Sequence, residues 1–204
     1  NYDQVVGLVE DLRYIALSRR MRVGMNFSKV NNVGPAAALY LAAEIYRARF
    51  AIANQSRVTG VYPQNVQVSK LLSDMGFNNL MGISEPDLPD TSDSVEYIRY
   101  KTSNDVKGEL ARELRLAIEA GSDALAPPIK RAMYGGLTEA MTNVLHHAYP
   151  REVYQPINYM RGRWWMAGSI DRENKELMML FYDQGVGIPV TVPRKHPAEI
   201  WGGI

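Results

Sequence analysis

Residues 136–149 read GLTEAMTNVLHHAY, and this stretch decides how the second half of the chain is interpreted. Its apolar residues recur every three or four positions, which predicts an amphipathic helix. Glu139 and Asn143 are four residues apart, so they project from one face of that helix about one turn apart. Such a pair can hold a hydrated divalent cation, and the carboxylate can also orient or deprotonate a nucleophile. The alternative is an ordinary solvent-facing Glu/Asn pair.

A second motif, DQGVGIP, occupies residues 183–189 and follows a predicted β-hairpin. The hairpin strands are predicted over 164–170 and 177–182, with the turn at 171–176. An Asp at a strand end, followed by two glycines, places a carboxylate beside backbone that tolerates positive φ and the close approach of a ligand. The alternative is a plain glycine turn that leaves the sheet.

The order of the two motifs, with the hairpin between them, resembles the GHKL ATPases. This superfamily contains histidine kinases, the ATPase domains of type II topoisomerases and the anti-sigma serine kinases. Glu139 and Asn143 match its N box, and EAMTNVLHHAY looks most like the anti-sigma kinase version. Asp183, Gly185 and Gly187 match its first glycine box.

The resemblance implies a role for each matching residue. Asn143 would hold Mg²⁺ bound to the phosphates of ATP, and Glu139 would act as general base or polarise the attacking group. Asp183 would accept a hydrogen bond from the adenine amino group. Gly185 and Gly187 would let the chain pass under the base.

Three nearby features leave alternatives open. His147 matches the His that follows the N box in the anti-sigma kinases, which implies an approach to phosphate; a structural histidine is the alternative. Trp164 and Trp165 are adjacent on a predicted strand and so face opposite ways. One is expected in the core, and stacking on adenine is the alternative to core packing. Because Gly135 and Gly136 each cost a helix interior roughly 1 kcal/mol relative to Ala, either the helix begins there or a neighbour packs against bare backbone.

GHKL domains also carry a flexible lid and a second glycine-rich box that close over the phosphates. The resemblance here covers roughly residues 95–189, and the GG pair at 202–203 is not the expected G-x-G-x-G run. We therefore expect a chain that is incomplete at its C-terminal end. Because it begins at Asn1 rather than Met, we also expect residues upstream.

The first part of the chain alternates predicted strands and helices. We predict a helix over 5–16, a strand over 23–27, a helix from Pro35, a strand near 57–61 and a helix opened by Pro63 and ended by Gly76. This order predicts an α/β layer with parallel pairing.

Residues 21–83 resemble the STAS domain of anti-sigma-factor antagonists. The resemblance rests on the strand, the turn before a small-residue helix, and the stretch VTGVYPQNVQVSKLLSDMGF. Antagonists of that family carry a phosphorylatable Ser or Thr in the turn, which here reads NVGP at 32–35. A structural or docking module is therefore expected.

The expected fold class is α/β, with a STAS-like domain over 1–83, a linker over 84–93 and a GHKL (Bergerat) α/β sandwich over 94–204. The linker SEPDLPDTSD combines two Pro with four acidic residues and has no apolar face to bury. Beyond it we predict a strand over 95–100 and an amphipathic helix over 106–119.

The amino-acid composition argues against a nucleic-acid-binding or membrane protein. A net charge of +1 gives no broad attraction to nucleic acid or anionic lipid. The chain has no Cys, and no apolar run approaches the roughly 20 residues of a membrane span. We expect a cytoplasmic protein of bacterial type, with neither membrane nor nucleic acid as partner.

The resemblances imply an ATP-binding regulatory protein with ATP and Mg²⁺ as cofactors. It would be a Mg²⁺-dependent ATPase or a protein serine/threonine kinase, with protein partners bound through the STAS-like domain and a homodimer as one expected assembly. The alternative is a non-catalytic interaction module that uses ATP as a structural or switch ligand. A histidine kinase is disfavoured, because no helical His dimerisation segment precedes the N box.

Overall fold

The computed structural model describes residues 2–50, 58–89, 95–105, 116, 126–150 and 162–187. These residues form a mixed α/β structure with one parallel and one antiparallel sheet, which confirms the fold class at that level. None of the helices in the described ranges is both long and apolar enough to cross a bilayer. In chain order the elements are α1 (Tyr2–Leu12), β1 (Val23–Asn26), α2 (Pro35–Phe50), β2 (Val58–Val61), α3 (Val66–Asp74), α4 (Phe77–Met81), β3 (Val95–Ser103), α5 (Pro127–Asn143), β4 (Trp164–Asp171) and β5 (Glu176–Asp183).

Contacts divide the chain into two compact units. One unit consists of Asn1–Lys101 with Met166–Leu180, and the other of Thr102–Trp165 with Phe181–Ile204. All six predicted site residues belong to the second unit. The predicted domain boundaries remain a prediction: residues 84–89 have no regular secondary structure, and 90–93 lie outside the described residues.

A parallel β-α-β arrangement forms the first part of the chain, as predicted. Strand β1 pairs with β2 in a register that runs from Val23 opposite Val58 to Asn26 opposite Val61. Helix α2 connects the two strands, and its alanines at 38, 42 and 43 are fully buried. Small side chains on this face let a helix lie close to its neighbours.

Helix α3 begins later than the sequence indicated. The predicted start at Pro63 is wrong, because the Asn65 side chain accepts a hydrogen bond from the Val68 N–H at 3.0 Å and caps the helix. Gly76 follows the helix with a φ of +97°, as expected for a glycine at a helix end.

An ion pair joins the start of the chain to α2. Helix α1 continues as a π-helical segment over Arg13–Ser18. The Arg13 guanidinium donates to both carboxylate oxygens of Glu44, at 2.6 and 2.8 Å. The Glu44 side chain is fully buried, whereas that of Arg13 is 39% exposed. The buried charge is therefore matched by two charge-assisted hydrogen bonds.

The antiparallel sheet has the order β3-β4-β5. Its β4–β5 hairpin confirms the predicted strands and turn, and β3 extends the predicted strand to Ser103. Every residue of β4 except the last is buried. The predicted helix over 106–119 lies outside the described residues apart from Leu116, which is helical and exposed.

Candidate functional site

Helix α5 carries the first motif and is longer than predicted. It begins at Pro127 with two prolines in its first turn, where their missing N–H groups cost nothing. Both Gly135 and Gly136 lie inside it. A Cβ atom added at either would meet no atom of another element within 4 Å among the described residues. The helix begins eight residues before Gly135, so a helix start at these glycines is wrong. A neighbour packed against them is not found among the described residues.

Glu139 and Asn143 lie on the solvent-facing side of α5. Both are exposed, whereas Leu137 and Met141 of the same helix are buried. Neither polar side chain forms a hydrogen bond or ion pair within the described ranges. Their hard oxygen atoms are therefore open to water or to a hydrated cation. Within the same ranges, no group of three or more acidic or histidine side chains could hold a metal ion.

The end of this helical segment contacts the second motif, which we call the glycine loop (residues 183–187). The helix continues as a π-helical turn over Val144–Ala148. The Val186 N–H donates to the Ala148 carbonyl at 2.9 Å. A Cβ atom at Gly185 would collide with the Ala148 carbonyl oxygen and lie 2.6 Å from its Cβ. Only glycine therefore permits this approach of the loop to the helix end.

Tyr149 adds a second connection to the glycine loop. The residue is 6% exposed. The hydroxyl donates to the Arg163 carbonyl at 2.7 Å and accepts from the Gln184 N–H at 3.0 Å. Sequence analysis missed Tyr149 and Gln184 as site residues. The available signal was a tyrosine directly after an apolar helix face, since a buried tyrosine hydroxyl needs polar partners.

Asp183 stands at the end of β5, where its carboxylate organises the loop. One oxygen, Oδ1, accepts from the Gly185 N–H at 2.8 Å. The other, Oδ2, accepts no hydrogen bond within the described part of the chain. Gly187 is exposed with a φ of +80°, which meets the expectation of positive φ. At Gly185 the close approach to Ala148, rather than positive φ, requires glycine.

The remaining predicted residues have different surroundings. His147 is half-buried, and its ring lies edge-on to that of His146 with centroids 5.9 Å apart. Both interpretations of His147 stay open. Trp164 and Trp165 are both fully buried, in contact with Phe181 and Tyr182 respectively. The alternative that a tryptophan stacks on adenine is therefore wrong, because neither indole ring is accessible to a ligand.

Comparison of the chain with protein-family models, with curated proteins and with solved structures gave no match. The functional assignment therefore depends on the chemistry of the two motifs and on the contacts that bring them together. Those contacts join the helix end to the glycine loop; they do not include the side chains of Glu139 and Asn143.

Proposed function

We propose that this chain is an ATP-binding regulatory protein of the GHKL class, acting as a Mg²⁺-dependent ATPase or protein serine/threonine kinase. One observation carries the proposal: the glycine loop is fastened to the end of the helical segment that bears the N-box residues. The contact consists of the hydrogen bond from Val186 to Ala148 and the close approach at Gly185. A nucleotide site built from these two motifs requires such proximity.

The Asp183 carboxylate has the chemistry of an adenine acceptor. Its Oδ1 is engaged by the Gly185 N–H, which fixes the orientation of the carboxylate. Its Oδ2 is left as an acceptor at the base of a glycine loop, and the exocyclic amino group of adenine is a matching donor. A hydrogen bond to an ionised acceptor contributes more than one between neutral groups.

The exposed face of α5 supports the metal and catalytic part of the proposal. The Asn143 carboxamide oxygen fits a hydrated Mg²⁺, which binds few protein ligands and takes the others from water and phosphate. When bound, the ion would neutralise phosphate charge. Glu139 would accept a hydrogen bond from the attacking hydroxyl group or water, or remove its proton as a general base.

The preceding β1-α2-β2-α3 arrangement supports a STAS-like docking module. Its parallel strands and small-residue helix agree with that architecture. The turn before α2 offers no hydroxyl between Asn31 and Ala38, so this module would bind a partner protein rather than accept phosphate.

Asp183→Asn tests adenine recognition without removing the turn. The Asn side chain retains an oxygen for the Gly185 N–H but places an NH₂ donor where Oδ2 accepts. We expect ATP affinity to fall about ten- to a hundred-fold in calorimetric titration. Asp171→Asn is the matched control, because that carboxylate accepts from the Asn174 N–H at 2.9 Å at the other end of the hairpin. Unchanged ATP affinity in Asp183→Asn would remove this residue from the site.

Substitutions on α5 separate an enzyme from a switch. Asn143→Ala should weaken Mg²⁺-dependent ATP binding while metal-free binding changes little. Glu139→Ala should bind ATP normally but lose turnover by about 10²–10⁴-fold, the range of a positioned general base. Phosphate release and transfer are measured for wild type and both variants. ATP binding by wild type without any turnover would favour the non-catalytic module.

A further inference from the structure

We propose that Tyr149 is the positioning residue that holds the glycine loop in place for recognition of adenine. The inference rests on the proposed function. Tyr149 does not face the nucleotide in this proposal; it acts through the loop that carries Asp183.

One hydroxyl group satisfies two backbone groups from distant segments. It donates to the carbonyl of Arg163, 14 residues away, and accepts from the N–H of Gln184, 35 residues away. Both bonds are buried, so water cannot replace either partner without entering the interior. Phenylalanine at this position would keep the ring and lose both bonds.

The Arg163 backbone, which accepts the hydrogen bond from Tyr149, is itself held by neighbouring groups. The Thr102 hydroxyl donates to the Trp164 carbonyl at 2.7 Å and accepts from the Arg163 guanidinium at 3.3 Å. Arg163 and Trp164 are both buried. The Tyr149 hydroxyl therefore connects the loop to a strand end that is held by side chain and backbone together.

The hydrogen bond from the Gln184 N–H to Tyr149 lies next to Asp183, the residue proposed to accept a hydrogen bond from adenine. Gln184 follows Asp183 in the chain, so its amide shares a peptide unit with Asp183 and limits where that residue can lie. The Asp183 carboxylate is oriented in turn by Gly185. Loss of the Tyr149–Gln184 bond would shift the acceptor, and a displacement of about 1 Å is enough to abolish a directional interaction.

The experiment compares ATP with ITP, which carries a carbonyl oxygen in place of the adenine amino group. With an acceptor at Asp183, wild type should prefer ATP by about ten- to a hundred-fold in Kd. Tyr149→Phe should reduce this preference to about three-fold or less, because the acceptor no longer meets the amino group. Tyr134→Phe in α5, where the tyrosine is 37% exposed, is the matched control and should keep the preference.

The ratio of the two affinities separates positioning from mere stabilisation. If Tyr149 were purely structural, Tyr149→Phe would lower the free energy of unfolding, yet the folded variant would keep the ATP preference. That result overturns the inference while leaving the proposed function intact. If wild type binds neither nucleotide, the proposed function fails and the inference with it. Folding of each variant is checked by far-UV circular dichroism.

A measurement on wild type alone covers the case in which Tyr149→Phe does not fold. Hydrogen exchange should show the Gln184 amide protected in the nucleotide-free protein, because its acceptor is already in place. Rapid exchange of this amide without nucleotide would mean that Tyr149 does not hold the loop, and would overturn the inference.

Discussion

Gly185→Ala is the sharpest test of the contact between the helix end and the glycine loop. The added methyl group would lie 2.6 Å from the Ala148 Cβ and 2.8 Å from its carbonyl carbon, and would collide with its carbonyl oxygen. These are mostly backbone atoms, which cannot rotate away as the end of a flexible side chain can. The loop must therefore move away from the helix end.

The magnitude follows from three contributions. Overpacking at a tight contact costs about 1–3 kcal/mol, and the hydrogen bond from Val186 to Ala148 contributes about 1 kcal/mol that the displacement removes. The lower entropy of an unfolded chain with Ala offsets about 0.4–1 kcal/mol. We expect the free energy of unfolding to fall by about 2 kcal/mol, together with a loss of ATP affinity.

Urea denaturation followed by tryptophan fluorescence provides the assay, since Trp164 and Trp165 are fully buried in the same unit as Gly185. Gly136→Ala is the matched control. It lies inside α5 with no atom of another element close to its added methyl group, and should stabilise the protein by about 1 kcal/mol. If Gly185→Ala proves as stable as wild type, the close approach to Ala148 does not exist in solution.

Three further substitutions test the first unit. Arg13→Met should lower the free energy of unfolding by about 1.5–3 kcal/mol in urea denaturation, because it removes the two charge-assisted hydrogen bonds that the guanidinium donates to the buried Glu44 carboxylate. Glu44→Gln should cost less, since the Arg13 side chain is 39% exposed to water. Equal losses would contradict this asymmetry. Burial raises the pKa of Tyr100 above its ordinary value of 10.0. The unfolded chain therefore loses this proton first as the pH rises past about 10, which favours unfolding, so Tyr100→Phe should reduce the fall in stability between about pH 8 and 11. A fall as large as that of wild type would exclude Tyr100 as a contributor.

The local elements were predictable because their signals are local. Alternation and turn residues located the β4–β5 hairpin, and the small-residue helix between two short strands predicted parallel pairing. The start of α3 was not predicted correctly, because Pro63 is compatible with a helix start while Asn65 actually supplies the cap. Two competing start signals two residues apart cannot be ranked without the backbone geometry.

The errors at the site have a common physical origin in distant parts of the chain. Period-two alternation placed Trp164 and Trp165 on opposite faces of the sheet. One of the rings would be exposed only if one face of the sheet were exposed to solvent. Strand β4 is the middle strand and both rings are buried. The requirement for glycine at 185 likewise comes from Ala148, and the partners of the Tyr149 hydroxyl lie 14 and 35 residues away. Motif spacing identified the groups but not these contacts.

The central position of β4 also sets an order of events during folding. Its partner β5 follows after a four-residue turn (172–175), whereas Thr102 at the end of β3 and Trp164 at the start of β4 are 62 residues apart. Closing the longer loop costs about 2.4 kcal/mol more chain entropy, so the hairpin should form before β3 joins it. Until then β4 presents an unpaired edge and two tryptophan side chains to other chains. Refolding yield should therefore fall as protein concentration rises, through association at this strand.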